Sequence, residues 1–426
     1  MSAGDIWVGI DLGTSGCRAI AIDSQGDVIA RQSSPYSPSL AHTTQDPETL
    51  WQHVKCCLRA LIARVSEFTL RAIAVDATSG SVLLANPAGQ ALSPILLYHD
   101  TRAVTQARQI AGLAPIQSAA QGLGSGLAKF LWLQHQYSGS ESLRLLHQAD
   151  WINVKLGTRV GISDCNNALK TGYDPVHNQW PDWLDSVLSR SCLPAVVAPG
   201  SKIGIMSASL ASSLGLRHQP DIVAGTTDSI AAFLATGASQ VGDAVTSLGS
   251  TLVLKLVTDK PVFSPPHGIY SHRLGSLWLA GGASNSGGAV LKQFFNAKQL
   301  AQLSTQIDLQ QSAPEYYPLL QPGERFPICD PALPAKLEPR PDDNRLFLHG
   351  LLKSMARIEQ QGYALLSELS GCPLRTVITT GAGSVNPVWQ TIRQHLLAVP
   401  VYRAEHHDAA YGSAQLARDG LKHYTR

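Results

Sequence analysis

The sequence predicts an α/β protein of two domains, and three observations carry this prediction. The chain has 426 residues, of which 44% are hydrophobic, so it is long enough for two or three domains with real cores. Segments with strand character and segments with helical periodicity follow one another along the chain. A strand, a glycine turn and a second strand form residues 7–23, and the same pattern recurs at residues 242–254.

Charge and hydropathy argue against several classes of partner. The 33 basic and 31 acidic residues give a formal net charge of +2, and no run of Lys and Arg alternates with aromatic residues, as in nucleic-acid-binding segments. No apolar run is long enough to span a bilayer, and residues 1–5 lack the pattern of a signal peptide. We therefore expect a cytoplasmic protein, or a stromal one in a plastid-bearing lineage, that binds a small molecule and neither nucleic acid nor membrane.

The seven cysteines indicate a reduced protein. They are odd in number and dispersed, and no two have the C-x-x-C spacing. A disulfide framework and a zinc site are therefore both disfavoured.

The turn between the first two strands is the first candidate for a ligand site. Gly13 lets the backbone approach a ligand, the N–H groups of such a turn can hold an anion, and Thr14 and Ser15 add hydroxyl donors. Asp11, at the end of the first strand, could hold Mg²⁺ through water, because Mg²⁺ prefers few carboxylates plus substrate phosphates. An ordinary hairpin with a polar turn explains the same residues equally well.

Helical segments separate the strands. Asp46 and Pro47 fit the N-cap and first position of a helix whose apolar residues recur at helical spacing. Residues 103 to about 146 also have a helical pattern, and a long amphipathic helix is predicted over about 348–369. Residues 314–340 are rich in proline, which predicts an irregular segment.

Polar residues collect after two further strands of the first half. The strand at residues 71–76 ends in a small polar loop that contains Ser79, and the strand at residues 95–98 is followed by Asp100. Small side chains in such a loop leave room for a ligand. The ends of these strands are therefore candidate binding positions.

Asp228 is the most suggestive carboxylate of the first half. A buried strand at residues 222–224 leads through small residues to Asp228 and then into a helix. A functional carboxylate is well placed there, because the start of a helix stabilises negative charge. From the local sequence alone, the simpler interpretation, that Asp228 only caps the helix, is favoured.

The second half repeats the opening hairpin without its aspartate. Gly249, Ser250 and Thr251 form the turn of this second hairpin. Two half-molecules that each present a glycine hairpin suggest a nucleotide clamped between domains. Chance recurrence of a short glycine hairpin is the alternative.

A further glycine turn lies near the end of the chain. The strand at residues 376–380 meets Gly381 and Gly383, and Asn386 opens the next helix. A strand, a glycine turn and a capped helix are a frequent setting for nucleotides, although many plain βα connections look the same.

The order and spacing of these segments resemble the FGGY carbohydrate kinases, which belong to the superfamily of hexokinase, actin and the heat-shock ATPases. The matching segments cover almost the whole chain in the family's order, and the ordered set is specific although each segment is weak alone. They are Gly9–Ser15 (GIDLGTS), Gln45–Pro47 (QDP), Ala224–Asp228 (AGTTD), Ser247–Ser250 (SLGS), Gly323–Pro327 (GERFP), Gly381–Ser384 (GAGS) and Ala410–Ala414 (AYGSA). The resemblance favours a catalytic role for Asp228 over simple capping.

This resemblance implies a fold and a reaction. The fold would consist of two ribonuclease-H-like domains of the actin and hexokinase superfamily, with a nucleotide cleft between them. Residues 1–238 would contain the sugar site and the catalytic base, and residues 239–426 the ATP site. The implied activity is that of a carbohydrate kinase that uses ATP and Mg²⁺.

The resemblance also implies roles for individual residues. Asp228 would be the catalytic base and contact the sugar, and Asp11 would lie at the metal, the sugar and the transferred phosphate. Ser79 and Asp100 would orient sugar hydroxyls, although Asp100 fits a structural pair with Arg102 equally well. The residues that would bind ATP are Gly13, Thr14, Ser15, Gly249, Ser250, Thr251, Gly381, Gly383 and Asn386.

Departures from the family pattern narrow the implied substrate. Bacterial xylulose kinases typically carry S-G-Q-M-H-G where this chain has Ser79–Leu84 (SGSVLL), and glycerol kinases place an Arg-Glu pair there. The compact sugar loop resembles that of the small pentulose kinases of cyanobacteria and plants, which are similar to ribulose kinases. We expect phosphorylation of the terminal hydroxyl of D-ribulose, with D-xylulose or another ketose or polyol as the alternative. A non-catalytic, actin-like sensor of sugar or ATP is the alternative from another class.

Overall fold

The chain divides into two compact units. The computed structural model describes residues 4–37, 43–137, 139 and 142–424. Unit 1 consists of Met1–Gly237 and Asp408–His423, and unit 2 of Ala238–His407 and Tyr424–Arg426. Residues 408–423, which the sequence analysis placed in the second domain, therefore fold with the first unit.

The described part of unit 1 combines short strands with helices. Its strands before residue 238 are β1 (Asp5–Leu12), β2 (Gly16–Ile22), β3 (Val28–Pro35), β4 (Thr44–Gln45), β5 (Thr69–Ala77), β6 (Val82–Ala85), β7 (Ile95–Leu96), β8 (Arg144–His147), β9 (Ile162–Asp164), β10 (Ala195–Val197), β11 (Lys202–Ile205) and β12 (Asp221–Val223). Its α-helices in the same range are α1 (Pro47–Arg64), α2 (Val104–Ala111), α3 (Gly126–Gln136), α4 (Gln148–Leu156), α5 (Cys165–Ala168), α6 (Ala208–Ser213) and α7 (Asp228–Leu234).

The main sheet of unit 1 brings three strand ends to one edge. Its strand order is β11-β12-β5-β1-β2-β3, and β1, β5 and β12 run parallel to one another. The carboxyl ends of parallel strands meet at the same edge of a sheet. The register places Asp11 of β1 directly beside Asp76 of β5, and Ala77 forms an isolated bridge with Thr227 just after β12.

Helix α1 begins as its sequence predicts. Asp46 is the N-cap, and its carboxylate accepts a hydrogen bond of 2.7 Å from the backbone N–H of Thr49, while Pro47 occupies the first helical position. The apolar residues of α1 point into the core of unit 1, where Leu50 and Leu58 are fully buried. The helix thus covers one face of the main sheet.

The prediction of a continuous helical pattern over 103–146 is wrong. Helix α2 ends at Ala111, and α3 begins only at Gly126 after a segment that contains Pro115 and several glycines, residues that terminate helices. Ser125 caps α3 by accepting a hydrogen bond from the N–H of Ala128 at 3.1 Å. Before residue 146 the chain has already entered strand β8.

Unit 2 has a sheet of its own. Its strands are β13 (Asp243–Leu248), β14 (Leu252–Thr258), β15 (Tyr270–Leu274), β16 (Leu277–Ser284), β17 (Thr376–Thr380) and β18 (Val401–Arg403). Its helices are α8 (Gly288–Phe294), α9 (Ala297–Ser304), α10 (Asn344–Ser370) and α11 (Pro387–Leu397), and α12 (Ala409–Asp419) then folds with unit 1. Residues 314–340 contain neither a helix nor a regular strand, as predicted. Within the described chain, no helix combines the length and the apolar character that a membrane span needs.

The main sheets of the two units share one strand arrangement. In unit 1 the order β3-β2-β1-β5-β12 consists of an antiparallel meander followed by two strands parallel to β1. In unit 2 the order β16-β14-β13-β17-β18 repeats this arrangement around β13. The glycine turns at residues 13–15 and 249–251 are therefore equivalent positions in the two units, and their recurrence in the sequence is structural.

Helix α12 packs tightly into unit 1 because two glycines allow it. A Cβ atom on Gly9 of β1 would lie 2.0 Å from the carbonyl oxygen of Ala410. A Cβ atom on Gly412 of α12 would lie 1.8 Å from the carbonyl oxygen of Ala231 in α7. Such distances leave no room for any side chain, so both glycines are required for α12 to lie against β1 and α7.

Candidate active site

Three carboxyl groups form an acid cluster at the strand ends of unit 1. Asp11 and Asp76 lie side by side on β1 and β5, both buried, with their carboxyl groups close enough to share a hydrogen bond. Asp228, at the start of α7, is close enough for its charge to raise the pKa of Asp76. Ser413 of α12 donates a hydrogen bond of 2.5 Å to Oδ2 of Asp76. The acid cluster therefore consists of Asp11, Asp76 and Asp228.

Burial and mutual repulsion set the pKa values in this cluster. Burial raises the pKa of Asp11, and the guanidinium of Arg18 opposes that effect. Burial also raises the pKa of Asp76, and the neighbouring charge of Asp11 raises it further. Carboxylates that are buried close together are stabilised by a bound cation or by a ligand that donates a proton to them.

Arg18 supplies positive charge at the edge of the cluster. Its Nη1 atom donates to Oδ2 of Asp11 at 2.8 Å, and the two residues face each other across the β1–β2 hairpin. The Arg18 side chain is 48% exposed, whereas that of Asp11 is 3% exposed. The guanidinium thus joins a buried acid to the surface beside the turn that contains Thr14 and Ser15.

The turn at residues 13–15 has the form that the sequence predicts. The N–H of Gly13 donates to the carbonyl oxygen of Gly16 at 3.1 Å, which closes the turn, and Thr14 and Ser15 are exposed. A Cβ atom on Gly13 would lie 3.9 Å from both carboxylate oxygens of Asp11, so the turn begins beside that acid.

Asp228 lies at the start of α7, one position after the N-cap. Thr227 is the N-cap residue of α7, and Asp228 is the first helical residue. Its Oδ1 atom accepts a hydrogen bond of 2.6 Å from the N–H of the next residue, Ser229. The carboxylate is only partly buried. Asp228 can therefore meet a ligand at the sheet edge while the helix start favours its negative charge.

The acid cluster also fits Mg²⁺ bound mainly through water. Within the described chain, no group of three or more His, Cys, Asp or Glu side chains has the arrangement of a direct metal site. Mg²⁺ needs fewer protein ligands, because it keeps several waters and binds one or two carboxylates together with phosphates. Oδ1 of Asp76 is buried and accepts no hydrogen bond, so the paired carboxyls of Asp11 and Asp76 have unused acceptor capacity.

The predicted sugar loop presents polar atoms without partners. The Oγ atom of Ser79 is buried and has no hydrogen-bond partner. The same holds for Oγ1 of Thr227, which adjoins the loop through the bridge to Ala77. Buried polar groups are almost always paired, so this loop has the properties of a binding site for a hydroxylated ligand.

Asp100 is held by Arg102. Nε of Arg102 donates to both carboxylate oxygens at 2.9 and 3.0 Å, and Nη2 lies 2.8 Å from Oδ2. The structural pair that the sequence left open is therefore present. It leaves Asp100, which is 2% exposed, with less capacity to bind a sugar than Ser79 has.

A buried lysine fixes the chain just before Asp100. Nζ of Lys129 donates to the carbonyl oxygens of Leu97 and Tyr98 at 3.0 and 3.1 Å. Burial lowers the pKa of Lys129 to about 7, the charge of Lys170 lowers it further, and that of Asp100 raises it. Lys129, Lys170 and Asp100 therefore lie in one neighbourhood.

Three glycine turns meet in unit 2. The carbonyl oxygens of Gly249 and Ser250 accept hydrogen bonds from the N–H groups of Gly288 and Ala289 at the start of α8. A Cβ atom on Gly381, where φ is +82°, would lie 2.6 Å from the carbonyl oxygen of Leu248. The turns that contain the predicted ATP-binding residues Gly249, Ser250, Thr251, Gly381 and Gly383 are thus packed together.

Asn386 has a structural role in this region. Its Oδ1 atom caps α11 by accepting from the N–H groups of Val388 and Trp389, both at 3.1 Å. Its Nδ2 atom donates to Oγ of Ser304 at 2.8 Å. These bonds occupy much of the capacity of the side chain, and an additional contact with ATP stays a prediction.

A buried ion pair supports the strands that lead into these turns. Arg393 of α11 donates to both carboxylate oxygens of Glu359 on α10, at 2.6 and 2.7 Å, and both side chains are 1% exposed. Arg393 also donates to Thr379 of β17, and Glu359 accepts from Thr246 of β13. The pair ties α10 and α11 to the neighbouring strands β13 and β17.

The sequence analysis missed Asp76, Arg18 and Gly288. Asp76 ends a predicted strand next to the strand of Asp11, so the parallel pairing of those strands was the signal that could have identified it. Arg18 lies opposite Asp11 in the predicted hairpin. Gly288 belongs to a glycine pair before a helix, a pattern that was visible but was given no role.

Comparison with known proteins shows relatives along the full length. The chain is 25% identical to the xylulose kinase of Escherichia coli K12, over 97% of this chain and 90% of that protein. It is 21% identical to the gluconokinase of Bacillus subtilis, over 95% and 85% of the two chains. The structure matches a xylulose kinase from Rhodospirillum rubrum with a TM-score of 0.84 at 22% identity, covering 97% of this chain and 90% of that one.

Two domain families match consecutive parts of the sequence. Residues 6–235 match the N-terminal domain of the FGGY family of carbohydrate kinases, and residues 244–418 match its C-terminal domain. The predicted fold and enzyme class are thereby confirmed, and ATP is the phosphoryl donor that this enzyme class uses. The non-catalytic alternative finds no support. The chain belongs to the FGGY family of carbohydrate kinases.

Proposed function

We propose that this kinase transfers the γ-phosphoryl group of ATP to the terminal hydroxyl of D-ribulose in the cytoplasm, giving D-ribulose 5-phosphate. The observation that carries the proposal is the position of Asp228. It lies beside the buried Asp11–Asp76 pair, at the sheet edge where Ser79 presents an unpartnered hydroxyl. A base next to a hydroxyl-binding loop is what phosphoryl transfer to a sugar requires.

Asp228 is the general base in this mechanism. Its carboxylate accepts the proton of the terminal hydroxyl, and the resulting oxygen attacks the γ-phosphorus in line while the bond to the β-phosphate oxygen breaks. ADP leaves, and the proton stays on Asp228 until it passes to solvent. Thr14 and Ser15 hydroxyls and the Arg18 guanidinium stabilise the charge on the phosphoryl oxygens.

Asp11 and Asp76 are the residues that would hold Mg²⁺, chiefly through water. When bound, Mg²⁺ neutralises charge on the transferred group. Asp11 orients the guanidinium of Arg18 through their hydrogen bond. Asp76 in turn holds Asp11 in place from the neighbouring strand. Ser413 in turn fixes Asp76.

The glycine turns of unit 2 are proposed to bind ATP. Gly249 and Gly381 allow the backbone to approach the phosphates, and Ser250 and Thr251 add hydroxyl donors. The packing of the two turns against each other supports this role, because it holds both backbones in fixed positions.

The sugar loop supports D-ribulose as the acceptor. Positions 82–84, where the bacterial xylulose kinase motif has Met, His and Gly, are Val82, Leu83 and Leu84, and all are fully buried in β6. Their side chains have no polar atom that could bind a sugar hydroxyl, whereas Ser79 has a hydroxyl without a partner. D-xylulose is the second candidate, and the similarity to the xylulose kinase of Escherichia coli favours it.

Sugar-dependent ADP formation tests the proposal. The enzyme is assayed with ATP and Mg²⁺ against D-ribulose, D-xylulose, gluconate, glycerol and no sugar, and the product is located by phosphorus NMR. We expect ADP only with sugar present, and D-ribulose phosphorylated at its terminal hydroxyl. ADP formation that does not depend on any of these acceptors would refute the proposed reaction.

A further inference from the structure

Lys170 lies beside the sugar loop and has no role in the reaction described so far. It belongs to a 3-10 turn, Leu169–Thr171, that follows α5 directly. Its side chain is half-buried and passes over Gly80, where an added Cβ atom would lie 3.3 Å from Cδ of Lys170. Gly80 follows Ser79, so the lysine side chain adjoins the residue that presents the unpartnered hydroxyl.

The backbone of Lys170 is fixed by buried polar contacts. Asp164 caps α5 by accepting from two backbone N–H groups at 2.9 and 3.0 Å. Thr171 donates to the carbonyl oxygen of Ala168 at 2.6 Å, and its hydroxyl also lies 3.2 Å from Nε2 of His147. Because these groups are buried, the position from which the Lys170 side chain extends is set by the fold.

The ammonium of Lys170 lacks an acidic partner. In the described part of the chain, no carboxylate lies within ion-pair distance of it. Asp100, which like Lys170 influences Lys129, is already bound by Arg102. The neighbouring Lys129 repels it. A half-buried cation in such surroundings is stabilised by an electron-rich oxygen of a ligand.

Lys170 and Asp228 adjoin opposite ends of the sugar loop. Starting at Asp76 in the acid cluster, the chain passes Ala77, which pairs with Thr227, then reaches Ser79 and Gly80. Lys170 lies over Gly80, which follows Ser79 in the loop, whereas Thr227, the neighbour of Asp228, pairs with Ala77 before it. A ketopentose whose terminal hydroxyl meets Asp228 would direct its opposite end, with the C1 hydroxyl and the C2 carbonyl, toward Lys170.

We propose that Lys170 is a substrate-binding residue that donates a hydrogen bond to the carbonyl end of the sugar and so selects ketoses over alditols. The inference rests on the proposed sugar kinase function. A carbonyl oxygen only accepts hydrogen bonds, which matches an ammonium donor. An alditol carries a hydroxyl at the same carbon, and the proton of that hydroxyl needs an acceptor of its own.

The test compares wild type with Lys170→Met and Lys170→Arg. Met keeps the length of the side chain without its charge, and Arg keeps the charge. The matched control is Lys155→Met. Lys155 lies on α4, and its Nζ atom lies 2.8 Å from Oε1 of Glu48 on α1. Kinetics are measured with D-ribulose and D-xylulose as substrates, with ribitol as a competitive inhibitor, and with ATP varied separately.

We expect Lys170→Met to raise KM for the ketopentose roughly 10- to 100-fold, the range for loss of a charged donor to a ligand. KM for ATP and KI for ribitol should stay nearly unchanged, and Lys170→Arg should restore much of the affinity. Lys155→Met should behave as wild type.

Two results would overturn the inference while leaving the kinase proposal intact. One is an unchanged KM for both ketopentoses in Lys170→Met. The other is an equal loss of affinity for ribitol and the ketopentose, which would show that the lysine does not distinguish the carbonyl. A wild-type enzyme without any sugar-dependent activity would instead refute the proposed function. If Lys170→Met does not fold, Lys170→Gln replaces it in the same comparison.

Discussion

Ser413 of α12 donates a hydrogen bond of 2.5 Å to Asp76 of β5, although 337 positions separate the two residues. The bond joins the last helix of the chain to the acid cluster of unit 1. Both side chains are fully buried, so the contact is protected from water. The geometry of the acids beside Asp228 therefore depends on the correct seating of α12.

Gly412→Ala tests this dependence. The added methyl group would lie 1.8 Å from the carbonyl oxygen of Ala231, so α12 must move away from α7 and carry Ser413 with it. We expect a loss of about 1–3 kcal/mol in the free energy of unfolding, the usual range for overpacking, together with a fall in kcat. Thermal melting and steady-state kinetics provide the measurement.

Gly112→Ala is the matched control for that variant. Its nearest neighbour would be the carbonyl oxygen of Gln109 at 3.6 Å, which is an ordinary contact. This control should melt and turn over as wild type does. Equal behaviour of the two variants would show that α12 does not support the acid cluster.

Asp228→Asn should fold normally and lose phosphoryl transfer. General-base catalysis contributes about 10²- to 10⁴-fold, so the loss should appear in kcat while KM for ATP is nearly kept. Asp221→Asn, on the strand that leads to Asp228, removes a partly exposed acid paired with Lys202 and serves as control. Turnover near the wild-type rate in Asp228→Asn would exclude Asp228 as the base.

Arg393→Met should destabilise unit 2 strongly. The substitution leaves the carboxylate of Glu359 buried without its partner, and such losses amount to about 3–5 kcal/mol. Arg345→Met, which removes an exposed partner of Asp343, should have no measurable effect. Urea unfolding followed by circular dichroism compares the two, and a wild-type midpoint for Arg393→Met would contradict the assigned role of the pair.

Asp164→Asn should change stability in a pH-dependent way. Burial raises the pKa of Asp164 to about 6, and hydrogen bonds from Asn167 act against this effect. In the unfolded chain its pKa is about 3.9, so the folded state binds the proton more tightly. The wild type therefore loses stability as pH rises from about 4 to about 6, by about 3 kcal/mol in total at 1.36 kcal/mol per pKa unit.

The asparagine variant lacks this titration. The difference in free energy of unfolding, variant minus wild type, should increase between pH 4 and pH 7. Above pH 7 this difference should change little. Asp27→Asn, at an exposed position, is the control and should follow the wild type. Parallel pH profiles for Asp164→Asn and the wild type would show that Asp164 stays charged without cost in the fold.

Local signals in the sequence were sufficient for the parts of the fold that depend on neighbours along the chain. Asp46 and Pro47 mark the start of α1, and Asn386 marks that of α11, because capping needs only adjacent residues. The position of Asp228 followed from a strand, small residues and a helix in succession. These elements were predicted at nearly the correct bounds.

Contacts between distant parts of the chain could not be predicted in this way. The Asp11–Asp76 pair depends on the register of two parallel strands, and no local pattern specifies that register. The return of α12 to unit 1 depends on Gly9 and Gly412, whose role appears only when the helix and the strand meet. The break between α2 and α3 was visible as Pro115 and nearby glycines, but helical periodicity on either side concealed it.

A head-to-head comparison of D-ribulose and D-xylulose tests the central claim most directly. The two sugars differ at one stereocentre, so a site that pairs with the hydroxyl of one leaves a buried polar group unpaired with the other, at a cost of roughly 1–3 kcal/mol. We predict a kcat/KM for D-ribulose about 5- to 150-fold above that for D-xylulose, measured by coupled ADP detection at saturating ATP. Equal values, or a preference for D-xylulose, would contradict the assignment of D-ribulose as the substrate.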